Sequence, residues 1–445
     1  MASKQELIQA QVFSRRRLLT AFTSGAPGGR ELAPAKPLRG VLLSIGLAIV
    51  TAVVAMLIGT FSGTLPAGWE KASIVVVQGE GTRYAVVGST LYPVKNLASA
   101  RLITATTEVL EAPAARLEGM PRDATPRGID GAPDALPAPD RLIGGAWTSC
   151  VAPETEGATA TRVSTQAVPP REALATLVRA GDDRYFYVTG DTRYEVVPED
   201  IGPIANVLLQ VDDPAAAPVA PAAWLNLVDE GSALRPLALE GAGDAAPGAA
   251  GSAGLQIGQL VQTTAGGEAT GQYVVSTRGR LVPVDDFSRA LLDAFVDSAL
   301  VAEPTSITAA EASPLIDTDS ALIPSDWPTA LAPSAGTDAS CVRMEPTEDG
   351  PVVTVSRTPD SLGPGAQVDP GAGVAVAAEG TGGGRTYGFI SENGLFFPVT
   401  TAEDLALLGY AEETLTAVPP AWVTLFETGP ELNRGLALGA IVPES

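Results

Sequence analysis

The chain has 445 residues, enough for two or three domains, with 28 basic and 51 acidic side chains and no histidine. The charge is uneven, at +5 through Arg39 and −28 over the remainder. The acidic bulk argues against a nucleic-acid partner. The lack of histidine excludes Ser-His-Asp and Cys-His catalysis and removes the commonest zinc ligand.

Residues 1–39 form a basic tail. Ser3-Lys4-Gln5-Glu6 has the form of a helix capping box, and Ile8, Val12, Leu19 and Phe22 follow at helical spacing until the Gly/Pro-rich run at 24–29. Two roles for this helix stay open. It can lie on a membrane surface with Arg15, Arg16 and Arg17 against lipid phosphates, or dock to a cytoplasmic partner. Val41 to Phe61 is 21 residues without a charge, about 31 Å as a helix at about 1.5 Å per residue and thus the thickness of a bilayer core. It lacks the polar face of a buried helix, and too long a segment precedes it for a secretory signal. Residues 40–62 are therefore predicted to be one transmembrane helix. The basic flank places the N-terminus in the cytoplasm and everything after Phe61 outside the plasma membrane.

The outer part repeats itself. Four segments, Arg83–Ile103, Arg184–Leu209, Gln272–Ala294 and Arg385–Tyr410, share an aromatic-containing strand, a turn, an apolar pair and a short helix. Their signature residues are Tyr84, Pro93 and Val94; Tyr187; Tyr273, Pro283 and Val284; and Tyr387, Pro398 and Val399. Asn96, Asp285 and Thr401 are the expected helix caps.

A longer period runs through these units. Pro93 and Pro283 are 190 residues apart, Cys150 and Cys341 are 191 apart, and Trp224 and Trp422 are 198 apart. The sequence thus predicts an α+β protein with pseudo-twofold internal duplication, in which four small β-hairpin/helix repeats surround a central β-containing core. The expected boundaries are repeat module 1 at 72–113, core segment A at 114–175, module 2 at 176–240, a flexible Gly/Ala/Pro linker at 241–255, module 3 at 256–303, core segment B at 304–375 and module 4 at 376–439. The stretches 121–139 and 212–221 read as surface loops. Outside the cytoplasm a lone pair of cysteines is expected to form a disulfide. Because Cys150 and Cys341 occupy equivalent places in the two halves, that bond should lie near the twofold axis.

Motifs for chemistry are sparse. No lysine follows a glycine, so a phosphate-binding loop is missing, and the glycines at 380–384 lead into a strand rather than a helix. The acid pairs Asp182-Asp183, Asp212-Asp213 and Asp285-Asp286 fit no calcium loop or glycosidase pattern and read as solvated turns. Trp147, Trp224, Trp327 and Trp422 read as core anchors of small modules. No catalytic, cofactor-binding or metal-ligating residue is expected.

The tail with Arg15-Arg16-Arg17, the apolar run, the stretch Tyr92-Pro93-Val94-Lys95-Asn96-Leu97-Ala98-Ser99-Ala100-Arg101-Leu102, the Trp147-x-x-Cys150 pair and the four repeats resemble the EccB component of actinobacterial type VII (ESX) secretion systems. The resemblance covers essentially the whole chain. It implies one transmembrane helix and an elongated outer domain with a central core and four repeats. It also implies a structural role beside the ATPase subunit EccC, EccD, EccE and a membrane-anchored subtilisin-like protease, with self-association of the outer domain. Some members carry an ATPase label, so ATP enters as a cofactor only through the family; no residue here maps to such a site. The alternatives are a periplasmic ATPase of the same system and a cell-wall-binding or sensor membrane protein.

Overall fold

The computed structural model describes residues 4–24, 44–52, 65–152, 157–165, 174–336, 339–356, 363, 365–380 and 383–439. They fall into two units, Met1–Pro66 and Ala67–Ser445.

The first unit contains helix α1, Lys4–Ser24, and helix α2 over residues 44–52. Leu7, Ile8, Val12, Leu18, Leu19 and Phe22 of α1 are exposed, as are Arg15, Arg16 and Arg17. Ser3 of the expected capping box lies outside the described residues, and so does most of the apolar run at 40–62. Among the described residues no helix is long and apolar enough to cross a membrane. Within α2, Ile45, Leu47, Ile49 and Val50 are all at least half exposed.

The second unit is α+β, and its described residues build five small sheets. The first holds β1 Ala72–Val77, β2 Arg83–Val87, β3 Thr90–Pro93 and β4 Val109–Ala112, in the order β3-β2-β1-β4. β1, β2 and β3 are an antiparallel meander. Helix α3, Leu97–Thr104, then crosses over so that β4 can pair with β1 in parallel. The central sheet takes β5 Trp147–Val151 and β6 Ala160–Val163 from the first half of the chain.

The next sheet is made of β7 Ala175–Ala180, β8 Tyr185–Thr189, β9 Thr192–Val196, β10 Val219–Ala220 and β11 Asp229–Leu234, in the order β10-β7-β8-β9-β11, with helix α4 at Ile201–Leu209. Its first four strands repeat the plan of the first sheet. The fifth, parallel to β9, follows the Trp224 segment.

The second half runs through the same sequence of shapes. β12 Leu260–Ala265, β13 Glu268–Val275, β14 Leu281–Pro283 and β15 Thr305–Thr308 are ordered β14-β13-β12-β15, with helix α5 at Asp286–Phe295. β15 lies past the expected end of module 3 at 303. β16 Ser340–Thr347, β17 Gly350–Ser356 and β18 Gly365–Val368 join the central sheet, whose order is β17-β16-β5-β6-β18. β19 Val374–Glu379, β20 Arg385–Ile390, β21 Leu395–Val399, β22 Thr416–Val418 and β23 Glu427–Thr428 are ordered β22-β19-β20-β21-β23, with helix α6 at Ala402–Leu407.

The helix starts follow from local chemistry. Asn96, Asp285 and Thr401 each take extended backbone angles and accept a hydrogen bond from the backbone N–H three residues on, at Ser99, Ser288 and Asp404. The stretch 241–255 differs from a flexible linker. It carries a short helix, Gly248–Ser252, and buries Ala246 and Ala250 against Leu255, Val261 and Leu281. Alanine is small enough to pack there and favours helix, and the glycines at 241, 243, 248 and 254 supply the left-handed turns between.

Candidate functional site

The central sheet is where the two halves meet. Alternation along its strands sends Trp147, Ser149, Val151, Val342 and Met344 to one face and Thr148, Cys150, Cys341 and Arg343 to the other. The apolar face packs with Val163, Val355 and Val368 against the other two five-stranded sheets. Val178, Phe186, Val188 and Trp224 arrive from one of them, and Val374, Val376, Phe396 and Trp422 from the other. Trp147 sits edge-on to Trp422, with ring centroids 6.4 Å apart, and to Phe426 at 5.5 Å. The indole N–H of Trp224 donates to the Ser149 carbonyl at 3.1 Å. Thr176 and Ser340 share a buried hydroxyl contact at 2.6 Å.

β5 and β16 run antiparallel, with Cys150 opposite Cys341, and the two are joined by a disulfide with Cα atoms 4.0 Å apart. Both cysteines are buried. Two residues along β16, Arg343 is only 3% exposed, and its Nη2 lies 3.3 Å from a carboxylate oxygen of the half-exposed Glu345. Among the described residues its Nε finds no hydrogen-bond partner. At the far edge, Asp369 accepts from the Thr165 backbone N–H and the Ser164 hydroxyl, each at 3.0 Å, and lies 3.5 Å from Arg162. Burial opposes ionisation of Asp369, yet these donors together hold its carboxyl below the usual range.

The outer faces of the five-stranded sheets carry the remaining modules. Phe389, Phe397, Leu405, Leu408 and Tyr410 bury Leu102 and Ile103 of α3. Tyr187, Ile204 and Leu208 likewise bury Phe287 and Leu291 of α5. The packing order is thus module 3, module 2, central sheet, module 4, module 1.

The repeat-signature residues do not form one site. Each lies in its own hairpin. Tyr84 faces Pro93 across the strands and Tyr273 faces Pro283, whereas Tyr387 faces Val399 and Tyr187 faces Tyr194. Val94 and Val284 follow the strand ends and are half-buried. Arg15, Arg16 and Arg17 belong to the first unit. Among the described residues no group of three or more acidic or cysteine side chains converges as metal ligands. Arg343 and Asp369 escaped sequence reading. Single charged residues in a strand and a loop carry no pattern that marks them for burial.

Three solved structures share this fold. One chain of an intact ESX-5 inner membrane complex superposes with a TM-score of 0.61 at 20% identity, covering 98% of this chain and 95% of its own. A periplasmic assembly from the ESX-5 inner membrane complex gives 0.60 at 19% identity, over 84% and 94%. An EccB3 dimer from the ESX-3 core complex gives 0.60 at 23% identity, over 82% and 99%. The sequence itself matches, over residues 2–441, the family described as type VII secretion system ESX-1, transport TM domain B. The chain therefore belongs to the EccB family of type VII secretion.

Proposed function

We propose that this chain is a structural subunit of a type VII secretion membrane complex, with no catalytic residue and no cofactor of its own. The basic tail docks through α1, with Arg15, Arg16 and Arg17, to cytoplasmic subunits of the complex. Residues 40–62 cross the plasma membrane once. The acidic outer domain stands on the other side as an elongated frame, duplicated about a pseudo-twofold axis through the disulfide, and associates with other copies of itself. The family match along the chain carries this reading. Support for the frame comes from the recurring strand orders of modules 1 and 3 and of modules 2 and 4, and from the two cysteines standing opposite each other. The related chains come from an inner membrane complex, a periplasmic assembly and a dimer.

Deleting residues 3–22 tests the docking role. The truncated chain should insert and keep its disulfide, yet leave the high-mass band on native electrophoresis of membranes. Co-migration with the full assembly would reduce the tail to a topology signal. The ATPase alternative is tested by phosphate release from rigorously purified protein. Turnover above a matched control that one acidic substitution abolishes would establish it.

A further inference from the structure

Among the described residues the ten edge strands of the five sheets are not alike. β3, β4, β10, β14, β15, β18, β22 and β23 have two to four residues, and β11, with six, carries Asp229 and Glu230. Short and charged edges block strand addition by another chain. β17 is the exception, with seven residues, Gly350–Ser356, and no charge. It also reaches past the sheet. β16 pairs with β5 only over Ser340–Met344, so Glu345–Thr347 and Gly350–Val352 project as a two-stranded arm on which Val352 is 50% exposed. Among the described residues the backbone of β17 pairs with β16 alone. The place that β18 fills beside β6 at the opposite edge has no described counterpart here.

We propose that β17 is the strand through which the outer domain self-associates: two copies pair their β17 strands antiparallel across a true twofold axis, merging two five-stranded central sheets into one of ten strands. The inference rests on the self-association proposed above and names its surface. A strand that meets its own copy must be self-complementary. Centring the pair on Thr354 sets Val353 opposite Val355 on one face, and Thr354 opposite Thr354 and Val352 opposite Ser356 on the other, all favourable cross-strand neighbours. Pro351, which lacks an N–H, falls outside the paired segment. Charge selects the same strand. Residues 142–445 carry a net −27, so two copies repel each other over most of their surface. An uncharged edge is where they can approach.

The test uses the full-length chain in mild detergent. Thr354→Lys sets like charges directly opposite each other at the proposed axis, and Val352→Lys replaces an apolar cross-strand contact with a charge; each should weaken dimerisation at least tenfold by mass photometry, with circular dichroism and the native disulfide unchanged. Thr354→Cys should give a covalent dimer on mild oxidation, whereas Thr270→Cys, an exposed position on β13, should not. Undiminished dimers in both lysine variants, with no cross-link through Thr354→Cys, would overturn β17 as the surface and leave self-association standing. A wild-type chain that stays monomeric in detergent and in native membranes would overturn the self-association itself.

Discussion

The contact of module 4 with module 1 and that of module 2 with module 3 hold the same place in the fold with different side chains. In the first, Phe389 stacks on Tyr410 at 5.4 Å, the Tyr410 hydroxyl donates to the Pro137 carbonyl at 3.2 Å, and Arg101 donates to the Leu408 carbonyl at 2.7 Å. In the second, Phe287 packs on Tyr187 at 5.7 Å and on Trp327 at 6.3 Å, and the Trp327 indole donates to the Ser232 carbonyl at 3.2 Å. Pro137 and Trp327 are 190 residues apart, so the segment after each outer module returns to clamp its neighbour. Strand order and an aromatic centre are common to both contacts, and the polar closures are not. Apolar burial is non-directional and tolerates exchange, whereas each hydrogen bond depends on one donor and one acceptor in place.

The aromatic centres set the largest expected effect. Phe389→Ala and Phe287→Ala should each cost about 3–5 kcal/mol in denaturant unfolding. The two losses should agree to within about 1 kcal/mol if the contacts are energetic equivalents. A loss confined to one variant would show that the duplication survives in shape only. Next comes the disulfide that ties the two contacts together through the central sheet. It closes a loop across a sequence separation of 191 residues, and a double Cys150→Ser, Cys341→Ser variant should lose about 2–5 kcal/mol, the upper figure being that of the chain-entropy model. Unchanged unfolding would mean that sheet pairing and Trp packing alone hold the halves.

How far these features were legible in the sequence follows from their physics. Asn96, Asp285 and Thr401 were readable as caps because a short polar side chain before an apolar periodic run has one dominant use. The cysteine pair and the Trp224 and Trp422 landmarks were readable because recurrence at a fixed separation survives divergence. Strand register was not. Tyr187 and Tyr387 share the aromatic signature of Tyr84 and Tyr273 but face Tyr194 and Val399 rather than a proline, and a one-residue slip leaves composition unchanged. The crossover strands Val109–Ala112 and Thr416–Val418 are too short to show alternation, so the parallel pairings they make were missed. Burial of Arg343 was also hidden, because a lone arginine between apolar residues looks the same whether its strand is covered or exposed.

Smaller effects sharpen the comparison at its unequal points. Arg101 belongs to the module 1 contact alone, and burial pulls its guanidinium below the ordinary value. Arg101→Met should cost about 1.5–3 kcal/mol, the range for a hydrogen bond to a charged group. An unaltered midpoint in urea would show the bond to be replaceable by water. Asp369 stands beside β18, the central strand with no counterpart among the described residues of the other half. Its folded pKa is depressed, so its stabilisation is full above the unfolded value of about 3.9 and disappears as pH falls through the lower folded value. Asp369→Asn should flatten the loss of stability below about pH 4, and an identical pH profile would remove Asp369 from the linkage.

The structural role is tested most directly by purifying the full-length chain from mildly solubilised membranes and weighing what accompanies it. A subunit of this kind should emerge in one high-mass species with other type VII secretion subunits at a fixed ratio, and that ratio should persist in high salt. Recovery of the chain alone, or with companions in variable amounts, would contradict it.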